Sequence, residues 1–535
     1  MSDLTSGGET EIALVVLNES GDRIEKLPLH RRVARWWQNR SALPYAAYCR
    51  LDRKRYCTAG DAENPTDVSG LLGRTPVIRV RPRMTKHCDY FGDDVVAAIR
   101  GYELDVAIRF GFRILKGEAL RLARFGVWSF HHGDNRQNRG GPAGFWEVMK
   151  NEAVTGAVLQ VLSEELDAGL VIGRSFSSTD PISLTANKHD YYWQATHLLM
   201  ASLHRLHSDR EAFLEEARAR RGWECYSHPL YVQPHGREMS RLAAGIAGRL
   251  LMRKLRTLVL RDQWFLAYRL TTRTDASGNV PDGTLYRFKE LIPSSDRFWA
   301  DPMPAFHEGR HYVFFEEYLF GAPRAHICVL ELDERGHPSH VRTVLERPYH
   351  LSFPFVFNWR GDWYMIPETS SERRVELYRA TAFPDSWEPV KVLLDDIAAT
   401  DATVVEIDEK WWMFVGVSVT PKEAGLLNVY HAPTPLGPWE PHQWNPVKMD
   451  VRSARPAGPL FFHEGAWYRP SQCGAPCYGS ETVVNRIEEL TERSFREVEV
   501  ARISPKWRAR LNGTHTLAAA GGLTVIDARQ VIRRL

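Results

Sequence analysis

The sequence predicts a multidomain chain, α/β plus all-β, in which a Rossmann-like domain precedes a five-bladed β-propeller. Three observations predict it. A length of 535 residues leaves room for two or three domains. Residues 10–205 alternate short apolar runs with helical patterns, the texture of strands joined by helices in a parallel sheet. Residues 286–535 carry a degenerate repeat of apolar strand, tight turn and aromatic strand, the texture of propeller blades.

In the first region, Glu11–Leu17 (EIALVVL) reads as a buried strand, Val95–Arg100 as a helix and Asp105–Phe110 (DVAIRF) as a strand. Leu115–Arg124 returns to helical spacing, and Gly126–Phe130 (GVWSF) is again strand-like. No GxGxxG follows the opening strand, which argues against a dinucleotide site.

Residues 206–285 read as a helical connector. It holds a charged helix (REAFLEEARARR), the Pro-, His- and Tyr-rich Cys225–Gly236 and the basic amphipathic run 239–260. Such a run suits docking on its own protein first, and weak contact with a membrane surface second. Asp275–Gly283 reads as an exposed turn.

The repeat begins at Asp301, Phe353, Asp401, Ala457 and Gly513, with turns at Gly309, Gly361, Glu409, Gly465 and Gly521. The turns are 52, 48, 56 and 56 residues apart. A period of about 50 with hairpin texture fits propeller blades, and five copies predict five blades.

Composition narrows the function classes. The chain is 44% hydrophobic and 25% charged, unlike a disordered, collagen-like or membrane-embedded protein. A net charge of +3 gives no basic coat for nucleic acid. Seven cysteines make no disulfide framework, and Cys473 and Cys477 lack a second pair at zinc spacing, so no metal is expected. The N-terminus shows no secretory pattern and no uninterrupted apolar run reaches about 20 residues, so a cytoplasmic location is expected.

The segment Tyr102–Gly169 carries the most specific signal: His131 closing a strand, Arg139–Gly140 eight residues on, and Asp167-Ala168-Gly169 after a later strand. This pattern resembles the folate-dependent formyltransferases, including the sugar N-formyltransferases. The resemblance implies formyl transfer from 10-formyltetrahydrofolate. His131 would polarise the formyl oxygen and Asp167 would assist proton removal. Ser129, where the family has Asn, would be a weakened second donor. Asp134, Asn135, Arg139 and Gly140 would contact the acceptor. An imidazole and a carboxylate suit such a transfer because the tetrahedral intermediate bears an oxyanion and the attacking amine must lose a proton.

The second constellation lies at the blade starts. The opening residues of inner strands converge at one end of a propeller's channel, so Asp301, Asp401, Arg455 and His515 predict a polar pocket. Trp299, Trp411 and Trp412 would add aromatic surface for a sugar ring. The segments QWFLAYR, FWADPMPAF, SFPFVFNWRGDWYMIPET and APTPLGPWEPH resemble the N-terminal domain of glucosamine inositolphosphorylceramide transferases. More distantly, this half is similar to five-bladed arabinanase- and xylosidase-type glycoside hydrolases. The latter resemblance implies a carboxylate triad that includes Asp301 and Asp401. Arg455 stands where the acid Glu belongs, and Glu316 or Glu368 could substitute.

The function expected is N-formyl transfer to an amino-sugar or glycoconjugate acceptor held by the propeller. Two alternatives stand beside it: a carbohydrate-active propeller with a degenerate first domain, and a non-catalytic glycan-binding protein.

Overall fold

In the computed structural model, residues 10–21, 42–73, 75–165, 169–220, 226–271, 279–420 and 424–534 are described. Asp167, Cys225 and residues 275–278 of the expected exposed turn lie outside them. The chain divides into two units, Met1–Arg249 and Leu250–Leu535.

The second unit is built on five hairpins that begin the five repeats. Each turn has two central residues in the left-handed region: Glu308 and Gly309, Arg360 and Gly361, Asp408 and Glu409, Glu464 and Gly465, and Gly521 and Gly522. Two-residue turns of this kind match the right-handed twist of the strands they join. Each hairpin extends outward into an antiparallel sheet of four strands, or five in the last. Blade 1 comprises Arg297–His307, Arg310–Leu319, His326–Leu332 and Arg342–Leu345. Blade 2 spans Ser352–Asp395, blade 3 Ala399–Pro441 and blade 4 Phe461–Ile503.

Blade 5 closes the ring. Its inner strands, Leu511–Gly513 and Leu517–Ala520, pair with Leu523–Arg533, which pairs along its length with Leu260–Leu270. Lys289–Leu291 forms the outer edge. The expected helical connector therefore ends before Leu260, and the first propeller strand comes from inside it. Its central run (LRDQWFLAYRL) buries Trp264, Phe265, Leu266, Ala267 and Tyr268 consecutively, as a strand covered on both faces must. Between blades the core is aromatic and aliphatic: Phe314, Phe353, Met365, Ile366 and Met413 are fully buried in one cluster.

Three inner strands share a local device. Pairing with the second strand jumps by one extra residue between Ala300 and Met303, Ser352 and Phe355, and Thr400 and Thr403. Within these bulges Asp301, Phe353 and Asp401 adopt φ of 53°, 42° and 53°. A bulge re-aims a side chain, and a non-glycine residue there costs roughly 1–2 kcal/mol.

The first unit departs from the Rossmann-like expectation. Its four-stranded sheet runs Leu170–Ser178, Val154–Val161, Val127–His131, Ala107–Ile108. Only the last pair is parallel; the other two pairs are antiparallel. Val15–Asn18 pairs in parallel with Val77–Val80 in a separate two-stranded sheet. The physical reason is the short link between Val154–Val161 and Leu170–Ser178, which makes a hairpin where a βαβ crossover needs a helix of its own. Asp93–Arg100 is helical as expected, whereas Leu115–Arg124 holds only a 3₁₀ segment, Gly117–Arg121. The long helix Leu184–Ser208 covers the hairpin through Tyr191 and Ala195, which pack on Ala157. Its N-terminus is fixed by the Ser183 hydroxyl, which accepts from the Ala186 N–H, and by Asp52, which accepts from the Thr185 N–H at 2.7 Å.

Candidate functional site

The bulges aim the repeat's opening residues at neighbouring blades. Asp301 of blade 1 accepts from the Phe353 N–H of blade 2 at 3.3 Å and from the Thr516 hydroxyl of blade 5 at 3.2 Å. Its own N–H donates to Asp527 at 3.2 Å. Asp401 of blade 3 is gripped by the Arg455 guanidinium and accepts from the Gln472 amide at 2.5 Å, both from the blade 4 segment. Arg455 also reaches Glu368, at the end of the second strand of blade 2, at 3.1 Å. His515 Nδ1 lies 2.5 Å from Asp527 and 3.7 Å from Asp301. Asp301, Asp401, Arg455, His515 and Glu368, each proposed from sequence, thus meet around one axis.

Five carboxylates crowd this region when Glu316 and Asp527 are counted, against Arg455, His515 and His350. Burial pushes Asp301 above the ordinary aspartate range, with His515 opposing and Asp401, Glu316 and Asp527 reinforcing. Burial likewise raises Asp401 against the pull of Arg455. Despite its burial, Asp527 is held low by His515 and Thr516. His515 is raised against its own burial by Asp527 and Asp301. His350, beside Glu316 at 3.4 Å, is raised by that carboxylate although partial burial opposes its charge. The floor is closed, with Asp301, Asp401 and His515 all buried, while the His350 side chain is 41% exposed at the rim.

Aromatic surface comes from residues that sequence reasoning did not single out. Trp264 stacks on His515 with ring centroids 4.0 Å apart. Tyr478, half-buried, lies 5.0 Å from His515 and beneath the Arg455 guanidinium at 5.0 Å. Gly479 lets its loop press on this stack; a Cβ there would sit 2.8 Å from both Trp264 and His515. The expected tryptophans serve elsewhere. Trp411 and Trp412 are buried in hydrophobic clusters, and Trp299 donates to Glu317 at 2.9 Å. Asp527 and Gln472 lie on interior strands outside the repeat's opening motif. Alternation on the final strand (LTVIDARQVIR) is the one signal that could have marked Asp527, a charge within an apolar run.

Two trios have cation-ligand spacing among the described residues. Asp301, His515 and Asp527 each place a ligand atom within 4.8 Å of the others, as do Glu317, His326 and Cys328. In the second, burial pushes the Cys328 thiol up to about 12, and Glu317 already accepts from Arg297, Trp299 and His326.

In the first unit, Ser129 and His131 border one cleft of about 150 Å³ together with Arg109, Gln160 and Glu165. Ser129 Oγ accepts from Arg109 Nε at 2.9 Å and Nη2 at 2.7 Å, and His131 Nε2 lies 2.9 Å from the Asn138 carbonyl. Asp167 is outside the described residues. Asp134 accepts from Arg136 and Arg174, and Asn135 takes Arg174 at 2.6 Å on its side chain and Arg139 at 2.8 Å on its carbonyl. Arg139 lies over Tyr226, and Gly140 abuts the Tyr231 backbone at φ 101°. These last four groups build the loop that connects to Leu230–Tyr231.

The comparisons bear on the second unit. The family of the glucosamine inositolphosphorylceramide transferase 1 N-terminal domain matches residues 289–517. A glucosamine inositolphosphorylceramide transferase 1 of Oryza sativa subsp. japonica is 32% identical over 249 residues, covering 44% of this chain and 33% of the relative. That of Arabidopsis thaliana is 35% identical over 215 residues, covering 39% and 28%. The chain spans about a third of the length of these relatives. Among solved structures, the family 117 glycoside hydrolase Zg3597 of Zobellia galactanivorans is similar at 13% identity and a TM-score of 0.33, covering 50% of this chain and 90% of that one. The Cellvibrio cellulosa α-L-arabinanase follows at 12% and 0.31, covering 37% and 77%.

These findings correct the expectation of a formyltransferase that uses 10-formyltetrahydrofolate: the curated relatives are glucosamine inositolphosphorylceramide transferases. The geometry supplies a physical reason as well. The Ser129 hydroxyl donates to the Phe130 carbonyl at 3.2 Å while its oxygen accepts from Arg109, and the His131 Nε2 is engaged by the Asn138 carbonyl. The chain carries a propeller with a sequence likeness to the N-terminal domain of that transferase family.

Proposed function

We propose that the propeller is a carbohydrate-active module serving glycosyl transfer, which takes the sugar headgroup of a glycoconjugate at the axial site. What supports this reading above all is the convergence of Asp301, Glu368, Asp401, Arg455 and His515 from separate blades, with Tyr478 beside them. Carboxylates and a guanidinium suit sugar hydroxyls, and an aromatic face suits the apolar side of a pyranose. A carboxyl raised by burial, such as Asp301, keeps its proton at a higher pH and can donate to a glycosidic or phosphate oxygen.

One observation favours a second reading, a glycan-binding propeller without turnover: Asp401 is already saturated by Arg455 and Gln472. One experiment tests both. The purified chain is titrated with glucosamine-containing glycans, inositol phosphate glycans and nucleotide-activated amino sugars, and products are followed by mass spectrometry. Binding with sugar transfer or release that Asp301→Asn abolishes supports the first reading. Binding with no product supports the second. No binding to any of these, or binding untouched by both Asp301→Asn and Arg455→Met, overturns the carbohydrate assignment.

A further inference from the structure

The helix Gly236–Val259 changes character at its midpoint. Its first half docks by Met239, Leu242 and Ile246 in a cluster with Phe145, Trp146 and Tyr231. Its second half is bare: Leu250 through Val259 are all exposed, with Leu251 at 57%, Met252 at 65% and Leu258 at 64%. At about 100° per residue, Leu251, Met252, Leu255, Leu258 and Val259 form one stripe roughly 120° wide. The docked residues of the first half fall on the opposite side of the helix. The exposed stripe therefore does not continue the docking face, and packing among the described residues leaves it unexplained.

The charge pattern identifies the occupant. From Met239 to Arg261 the chain contains no Asp or Glu and carries Arg241, Arg249, Arg253, Lys254, Arg256 and Arg261. Arg256 is paired with Asp262 at 2.5 Å, and Arg261 lies over Phe320, while Arg253 and Lys254 stand exposed. By the same helical spacing Arg256 borders the apolar stripe on one side and Lys254 on the other, with Arg253 behind. A wide apolar stripe edged with cations and free of acids fits the boundary between anionic headgroups and acyl chains. No helix among the described residues is long and apolar enough to cross a membrane.

We propose that residues 250–259 are a docking element for an anionic lipid surface, with the leucine stripe in the headgroup layer and Arg253 and Lys254 against lipid phosphates or carboxylates. The inference is independent of the carbohydrate reading: either can fail without the other.

The test is cosedimentation of the full chain with phosphatidylcholine vesicles, with and without phosphatidylserine. Binding to the anionic vesicles is expected, weakening as salt rises. Arg253→Glu with Lys254→Glu should lower it by about fivefold or more per residue. Leu255→Glu with Leu258→Glu should abolish it with unchanged thermal unfolding, since both side chains are exposed. Equal binding to neutral and anionic vesicles, or none to either, overturns the proposal. So does a dimer in sedimentation equilibrium that Leu255→Glu dissociates while vesicle binding is absent, because the stripe then belongs to a second copy.

Discussion

Arg455 reaches Glu368 at 3.1 Å while its Nε and Nη2 hold Asp401, so one guanidinium from the blade 4 segment ties carboxylates of blades 2 and 3. The group is half-buried, its side chain 16% exposed, and its cationic form is favoured by Asp401, Tyr478 and Glu368 against the cost of desolvation. Removing it strands two acids at the floor of the site.

Arg455→Met should therefore destabilise the propeller by about 3–5 kcal/mol, the usual consequence of breaking a buried ion pair from one side. The double variant Arg455→Met/Asp401→Asn should recover much of that loss. Urea unfolding monitored by tryptophan fluorescence measures both. A single variant as stable as the parent would show that Arg455 does not hold the blades together.

Blade 4 contains a second buried network whose pH response has a definite sign. Glu497 is buried, yet Arg469 at 2.7 Å and Lys448 at 2.6 Å hold its carboxyl down to about 2. A carboxyl lowered on folding adds stability above its unfolded value near 4.5, and that stability drains away as pH falls toward 2. Acid unfolding of the propeller should steepen across that window. Glu497→Gln should flatten it and lower the melting temperature at pH 7; circular dichroism melts from pH 2 to pH 7 decide.

The seam of blade 5 predicts where the propeller can be cut. A chain beginning at Leu250 keeps Leu260–Leu270 and should unfold in one cooperative transition. A chain beginning at residue 286 leaves Leu523–Arg533 with an unpaired edge and should aggregate or unfold at much lower temperature. Calorimetry of the two fragments distinguishes them.

In the first unit, Ser129→Ala removes the oxygen that takes two N–H groups of Arg109, a guanidinium that burial already pulls below its ordinary range. The loss should be about 1–3 kcal/mol, the cost of leaving such donors unmet. Ser129→Thr, which keeps the hydroxyl, should lose less.

The propeller was legible because its signal is local and repeated. Each hairpin announces itself by a turn that tolerates positive φ, and five turns at near-constant spacing fix five blades. Asp301, Asp401, Arg455 and His515 could be named because each lies at or within two residues of a blade's opening position. Asp527, Gln472 and Tyr478 could not, since their approach to the axis depends on strand alternation and on one loop closing over another. Leu260–Leu270 was hidden for a related reason: its partner lies more than 250 residues away, and no local pattern records that pairing. In the first unit, apolar runs separated by helical spacing read as a parallel sheet. Direction of pairing depends on connection length, and the hairpin across Val154–Ser178 reverses it. A motif of His, Arg-Gly and Asp at family spacing gave a chemistry that neither the relatives nor the Ser129–Arg109 contact bears out.

Because Leu260 lies opposite Arg533 in the closing pair, the module enters and leaves at a common doorway. A ring with adjoining ends can be spliced into different hosts without stretching the chain on either side. Such portability suits a segment whose match covers about a third of the length of the curated relatives.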